Sequence, residues 1–141
     1  MSETINVGVP HPISRRDAAR QQIEAAIELF DGRRSEAAAI TLALAAEDQL
    51  PEPTDGKTSL FQILKARNTG PDKMDANRIR NWLKHHKEPD QIGISELDVV
   101  FSILRAVSKY LAVYDDRDSE SMKAFTIWVR NRGYFDGNVS R

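Results

Sequence analysis

Between Ser95 and Tyr114 the chain carries the pattern that most narrows its fold. Leu97, Val100, Phe101, Leu104, Val107, Leu111 and Tyr114 recur at steps of three and four, so they form one stripe along a helix of 3.6 residues per turn. A stripe of this length has to be buried against other secondary structure. Nowhere does the chain alternate apolar and polar residues at period two, and it has no internal repeat or low-complexity tract. The partners of this helix are therefore expected to be helices.

Signals along the rest of the chain agree. From Ser14, apolar residues recur at Ala19, Ile23, Ala26, Ile27 and Phe30, and Asp31-Gly32 supplies a stop. Ser35 is a good N-cap for a helix through Leu50 that halts at Pro51. Ala37, Ala38, Ala39, Ala43, Ala45 and Ala46 make this second helix slim, so a neighbour can approach closely. Pro51 to Thr58 reads as a loop, and Thr58 to Arg67 as a short helix with Leu60, Phe61 and Leu64 facing the core. Asn68-Thr69-Gly70-Pro71 breaks the chain, and a helix from about Asp72 to His86 follows, ending before Pro89. A last helix from Ser119 to about Arg132 offers Met122, Phe125, Trp128 and Val129 to the core and ends at Gly133. The expected fold is all-α, a compact antiparallel bundle of about five to six helices. Residues 1–13 are expected to form a flexible arm, 14–132 the helical domain and 133–141 a frayed tail.

Composition excludes several classes of protein. With no cysteine among 141 residues, disulfides and thiolate metal sites are ruled out. Met1 to Pro12 lacks the basic start and apolar run of a signal peptide. No segment has the roughly 20 apolar residues that span a bilayer, so the expectation is a cytoplasmic protein without a membrane partner. Net charge is −1, but residues 65 to 87 hold seven Lys or Arg against two acids, a local +5 in a body of −6. Such an island can hold a phosphate chain while the rest rejects nonspecific polyanions. The ordinary alternative is a solvated helix face.

The basic island contains Arg80-Asn81-Trp82-Leu83-Lys84-His85, the one stretch with recognisable chemistry. RNA is cut without metal when its 2′-hydroxyl attacks the adjacent phosphate, which needs a base, an acid and positive donors. Histidine suits either proton role, and the planar fork of arginine suits phosphoryl oxygens. At about 100° per residue, Asn81 and His85 share a helix face, with Arg78 almost in line. Arg80 lies about 140° round from His85, so only its length and flexibility could bring both to one ligand. Ile79, Leu83 and His86 form the neighbouring stripe. His11 belongs to the arm, which leaves His85 and His86 as the acid/base candidates in one chain. A symmetric dimer would double that inventory.

Each residue also has an ordinary structural reading. His85 could be a surface histidine near a helix C-terminus, favoured by the helix dipole. Arg78, Arg80, Lys84 and Asn81 could simply keep a helix soluble, Trp82 could pack, and His86 could sit at the core edge. Metal fits poorly, because His85 and His86 are adjacent and diverge, with no H-x-x-x-H or H-E-x-x-H pairing. Gly56-Lys57-Thr58 resembles the end of a phosphate-binding loop, but Pro51 stands where the upstream glycine is required. A serine-hydrolase signature is absent too, and neither metal nor organic cofactor is expected.

Arg80-Asn81 followed by His85 resembles the motif of the HEPN superfamily of helical-bundle domains, R-x(4–6)-H with asparagine, aspartate or histidine often directly after the arginine. The context is similar as well: two preceding helices, the second alanine-rich, and a long helix after the motif, covering about residues 14 to 132. The resemblance implies a metal-independent endoribonuclease whose cleft forms between two protomers, in toxin–antitoxin, antiviral defence or RNA-processing systems. It implies catalytic roles for Arg80 and His85 with Asn81 assisting, and an RNA substrate with an antitoxin or other protein partner; the basic stretch itself adds Arg78, Lys84, His86 and Lys87 as candidate RNA contacts. The toxin group paired with nucleotidyltransferase antitoxins often has tyrosine two residues after the histidine, where this chain has Lys87. Many HEPN domains are noncatalytic dimerisation or partner-binding modules, which is the second expectation. A third is a DNA-binding module, since Thr58–Arg67, the Asn68–Pro71 turn and the Arg78/Arg80/Asn81/Lys84 helix resemble a helix-turn-helix.

Overall fold

Ser14 sets the start of the first helix. Its hydroxyl accepts the backbone N–H of Asp17 at 3.0 Å, satisfying one of the donors that a helix N-terminus leaves open, and α1 then runs over Arg15–Asp31. The computed structural model describes residues 7–33, 35–53, 77–85 and 88–133. In it α1 buries Ala19, Ile23, Ala26, Ile27 and Phe30, the set its spacing predicts. The Gly32 N–H closes the helix on the Glu28 carbonyl at 3.1 Å. Gly32 itself stays right-handed, and Arg33 takes the left-handed turn at φ 55°.

Helix α2 spans Glu36–Gln49 and begins at Ser35, although that hydroxyl makes no capping bond. Ala39, Ala43 and Ala46 are completely buried, which lets neighbouring backbones approach closely, while Ile40 and Leu44 fill the remaining volume. Leu50 is extended and Pro51 follows. Three further helices are α3 (Arg78–Lys84), α4 (Glu96–Tyr114) and α5 (Glu120–Arg132). A full capping box between Ser95 and Asp98 opens α4. The Ser119 hydroxyl caps α5, and Gly133, at φ 74°, ends it.

Polar links at the helix ends fix the directions. Arg33, just past α1, and Arg132, in the last turn of α5, both bind Glu96 at the start of α4, at 2.6 and 2.8 Å. At the other end Asp116, just past α4, binds Arg16 and Arg20 near the start of α1, at 3.0 and 3.2 Å. Helices α1 and α5 therefore run antiparallel to α4. A hydrogen bond from Gln49 to Gln22 fastens the end of α2 beside the first half of α1. All regular structure among the described residues is helical, and the helices enclose one core.

The stripe expected on α4 is buried only in part: Val100, Phe101 and Val107 are in the core, whereas Leu97 is 44% exposed and Leu104, Leu111 and Tyr114 are half-buried. Val99, Ile103, Ala106 and Tyr110, outside the stripe, are completely buried as well. The reason is that α4 packs against α1, α2 and α5 together, so burial extends round the helix and also takes in Arg105 and Lys109.

Residues 7–13 carry no helix, and Val7, Val9 and Ile13 are exposed. The expected helix Thr58–Arg67, the Asn68–Pro71 break and the tail 134–141 lie outside the described residues. No helix among the described residues is long and apolar enough to cross a membrane.

Candidate nucleic-acid interface

Seven residues make a helix too short to stand alone in water, so α3 depends on what holds it. Ile79 is buried and Leu83 packs against the core, the i, i+4 pair that anchors its inner side. The Trp82 indole N–H donates to the Pro89 carbonyl at 2.7 Å, and the Arg78 guanidinium to the Gly93 carbonyl at 3.3 Å. At the N-terminal end, Arg105 of α4 donates to the Asn77 side-chain oxygen at 3.4 Å. Asn77 is the N-cap position of α3.

The helix stops earlier than its pattern suggests. His85 is extended, at φ −130° and ψ 138°, with its N–H still donating to the Asn81 carbonyl. Past this end, Pro89 lies beside α3, where its carbonyl accepts the Trp82 indole N–H.

Two stripes of α3 point to different surroundings. Asn81 and His85 are exposed, as are Arg78 and Lys84. Arg80 turns toward α2, where its guanidinium donates to the Asp48 carboxylate at 2.5 Å. Lys84, four residues on, reaches the same oxygen at 3.5 Å. Arg80 therefore pairs with a half-exposed carboxylate of α2 rather than standing free beside Asn81 and His85. His86 and Lys87 lie outside the described residues. Chemically, Arg78, Asn81 and His85 offer one cation, an amide and an imidazole, and Lys84 at the Asp48 side adds a second cation, enough to hold a phosphodiester and move one proton. Separate base and acid groups need a second histidine.

The structure also brings together charged residues that the motif does not include. Beside Asp48, the Glu47 carboxylate accepts two bonds from Arg105, at 2.7 and 3.2 Å, with both side chains buried. Lys109 donates to the Glu47 carbonyl at 3.2 Å and reaches Glu52 at 3.5 Å. The last turn of α2 thus pairs with α4 through Glu47 and with α3 through Asp48. One sequence signal was available: Ile40, Ala43, Leu44 and Glu47 share the helical spacing of the buried face.

A second cluster lies at the far end of the bundle. Asp116 accepts the Tyr110 hydroxyl at 2.7 Å, the Asp118 amide at 3.0 Å, and the Arg16 and Arg20 guanidiniums. The Tyr110, Asp118 and Arg16 donors hold its carboxyl well below the ordinary value of 3.8. Burial, followed by the bond to Asp116, pushes the Tyr110 phenol above its ordinary value of 10.0. A cavity of about 250 Å³ adjoins Asp116 between α4 and α5, with Leu111, Met122 and Ile127 in its lining. None of its lining residues belongs to the motif. No group of three or more potential metal ligands occurs among the described residues.

No family model, curated protein or solved structure matches this chain.

Proposed function

We propose that the chain is a HEPN-like, metal-independent endoribonuclease that acts as a homodimer, with α3 as its RNA-facing element. The observation that carries the reading is the exposure of Asn81 on α3 and of His85 just past its end, on a segment that Ile79 and Leu83 anchor to the core. Arg78 and Lys84 add exposed positive charge beside them, suited to phosphate oxygens. In the proposed reaction a base removes the 2′-hydroxyl proton and the 2′-oxygen bonds to phosphorus. The bond to the 5′-oxygen breaks, and an acid supplies its proton. His85 of one protomer takes one proton role and His85 of its partner the other, while Arg80 stabilises the phosphorane charge.

Cleavage of single-stranded RNA in EDTA, leaving a cyclic phosphate and a 5′-hydroxyl, is the expected result, and it is abolished in His85→Ala and in Arg80→Ala. Unchanged cleavage by both purified variants would refute the assignment.

The ion pair between Arg80 and Asp48 favours a second reading, a noncatalytic HEPN-like module that binds a partner through the same scaffold. Dimerisation without cleavage of any RNA in a mixed-sequence pool is the result expected of that module.

A further inference from the structure

Asp48 and Glu47 are neighbours on α2, yet their carboxylates have opposite surroundings. Glu47 is 6% exposed and held by both arms of the buried Arg105 fork. Asp48 is 37% exposed and uses one oxygen to accept from both Arg80 and Lys84, whose side chains are 24% and 53% exposed. Two cations thus converge on one carboxylate oxygen at the seam between α2 and α3. The local balance remains positive.

We infer that Arg80 and Lys84 form a phosphate-binding site and that Asp48 is its resident, exchangeable anion, occupying the free protein until a phosphate displaces it. A carboxylate presents two oxygens to a guanidinium; each phosphodiester of a chain presents a matching pair, and inorganic phosphate adds charge and further acceptors. Exposed ion pairs hold weakly because water solvates both partners when they separate. Releasing Asp48 therefore exposes a carboxylate that is already partly solvated. The same exchange at Glu47 would take two charge-assisted bonds from a buried guanidinium, which is why Asp48 is the carboxylate that can move aside. Asp48 also sets a threshold: a weak or singly charged anion gains too little from Arg80 to displace it, whereas a polyphosphate chain gains contacts at several cations together. The identification of RNA as the natural ligand rests on the function proposed above. The anion exchange itself does not.

The test uses the full chain, with Asp48→Asn, Arg80→Gln and the double variant Asp48→Asn/Arg80→Gln. Inorganic phosphate is titrated while the backbone amide signals of residues 78–85 are followed by NMR, and a fluorescein-labelled single-stranded RNA 12-mer is titrated by anisotropy. In Asp48→Asn, phosphate affinity at Arg80 rises about two- to fivefold, the range that losing an exposed ion pair allows. RNA affinity rises in parallel, and in the Arg80→Gln background the Asp48 substitution adds nothing. Unchanged or weaker phosphate binding in Asp48→Asn overturns the inference, as does a gain that persists without Arg80, because that gain would be a general charge effect. A phosphate gain without RNA binding in any variant supports the anion site and refutes the RNA reading. Melting curves check that each variant is folded.

Discussion

Replacing Glu47 with alanine should destabilise the bundle more than any change at the exposed motif. In the native chain Arg105 is 2% exposed, and the Glu47 carboxylate accepts two of its N–H groups. Without that carboxylate the guanidinium keeps its buried position and loses both of these charge-assisted bonds. Breaking a buried pair from one side costs about 3–5 kcal/mol. At roughly 3–4 °C per kcal/mol for a chain of this size, the melting temperature falls by about 10–20 °C. Equilibrium urea unfolding measures the loss directly, provided that the denaturant slope is unchanged. The double variant Glu47→Leu/Arg105→Met removes both charges and should recover most of the loss, since apolar groups of similar volume often replace a buried pair at little cost. Asp48→Asn, one residue away, should shift stability by about 1 kcal/mol or less, as befits an exposed pair. A loss below about 1 kcal/mol in Glu47→Ala would mean that Arg105 is solvated and would refute the burial argument. The consequence for α3 is measurable too, because Arg105 also holds Asn77. Amide exchange along residues 78–84 should speed up in Glu47→Ala more than in α1.

Acid should weaken the bundle through Asp116. Its folded-state value lies below the ordinary 3.8, so its stabilisation is present above that pH and is lost as pH falls from there through the folded value. Asp116→Asn should flatten the fall in melting temperature below about pH 4 relative to the native chain, and an identical pH profile would contradict this. Ser95→Ala breaks the capping box that opens α4. It should cost about 1 kcal/mol in urea unfolding and leave RNA binding at α3 unchanged.

Much of the fold is legible in local sequence because its signals are local. Ser14, Ser95 and Ser119 each mark a helix start with a hydroxyl that reaches a backbone N–H three residues on. The five residues spaced along α1 are the five it buries. Periodicity was less informative for α4, where neighbours on several sides bury charged positions as well as apolar ones. For the candidate site, the i, i+4 relation already separates Arg80 and Lys84 from Asn81 and His85. It does not reveal what either pair faces.

The sequence by itself determined the helical class, most of the helix boundaries, the buried face of α1, and the basic character of the R-N-W-L-K-H stretch. Spacing and capping act within about four residues, so they can be read without knowing the partners. The tertiary structure alone decided that Arg80 meets Asp48 across 32 residues, that Arg105 meets Glu47 across 58, and that Arg20 meets Asp116 across 96. Those encounters follow from how the helices pack and run relative to one another. No local pattern records which carboxylate a given arginine will find.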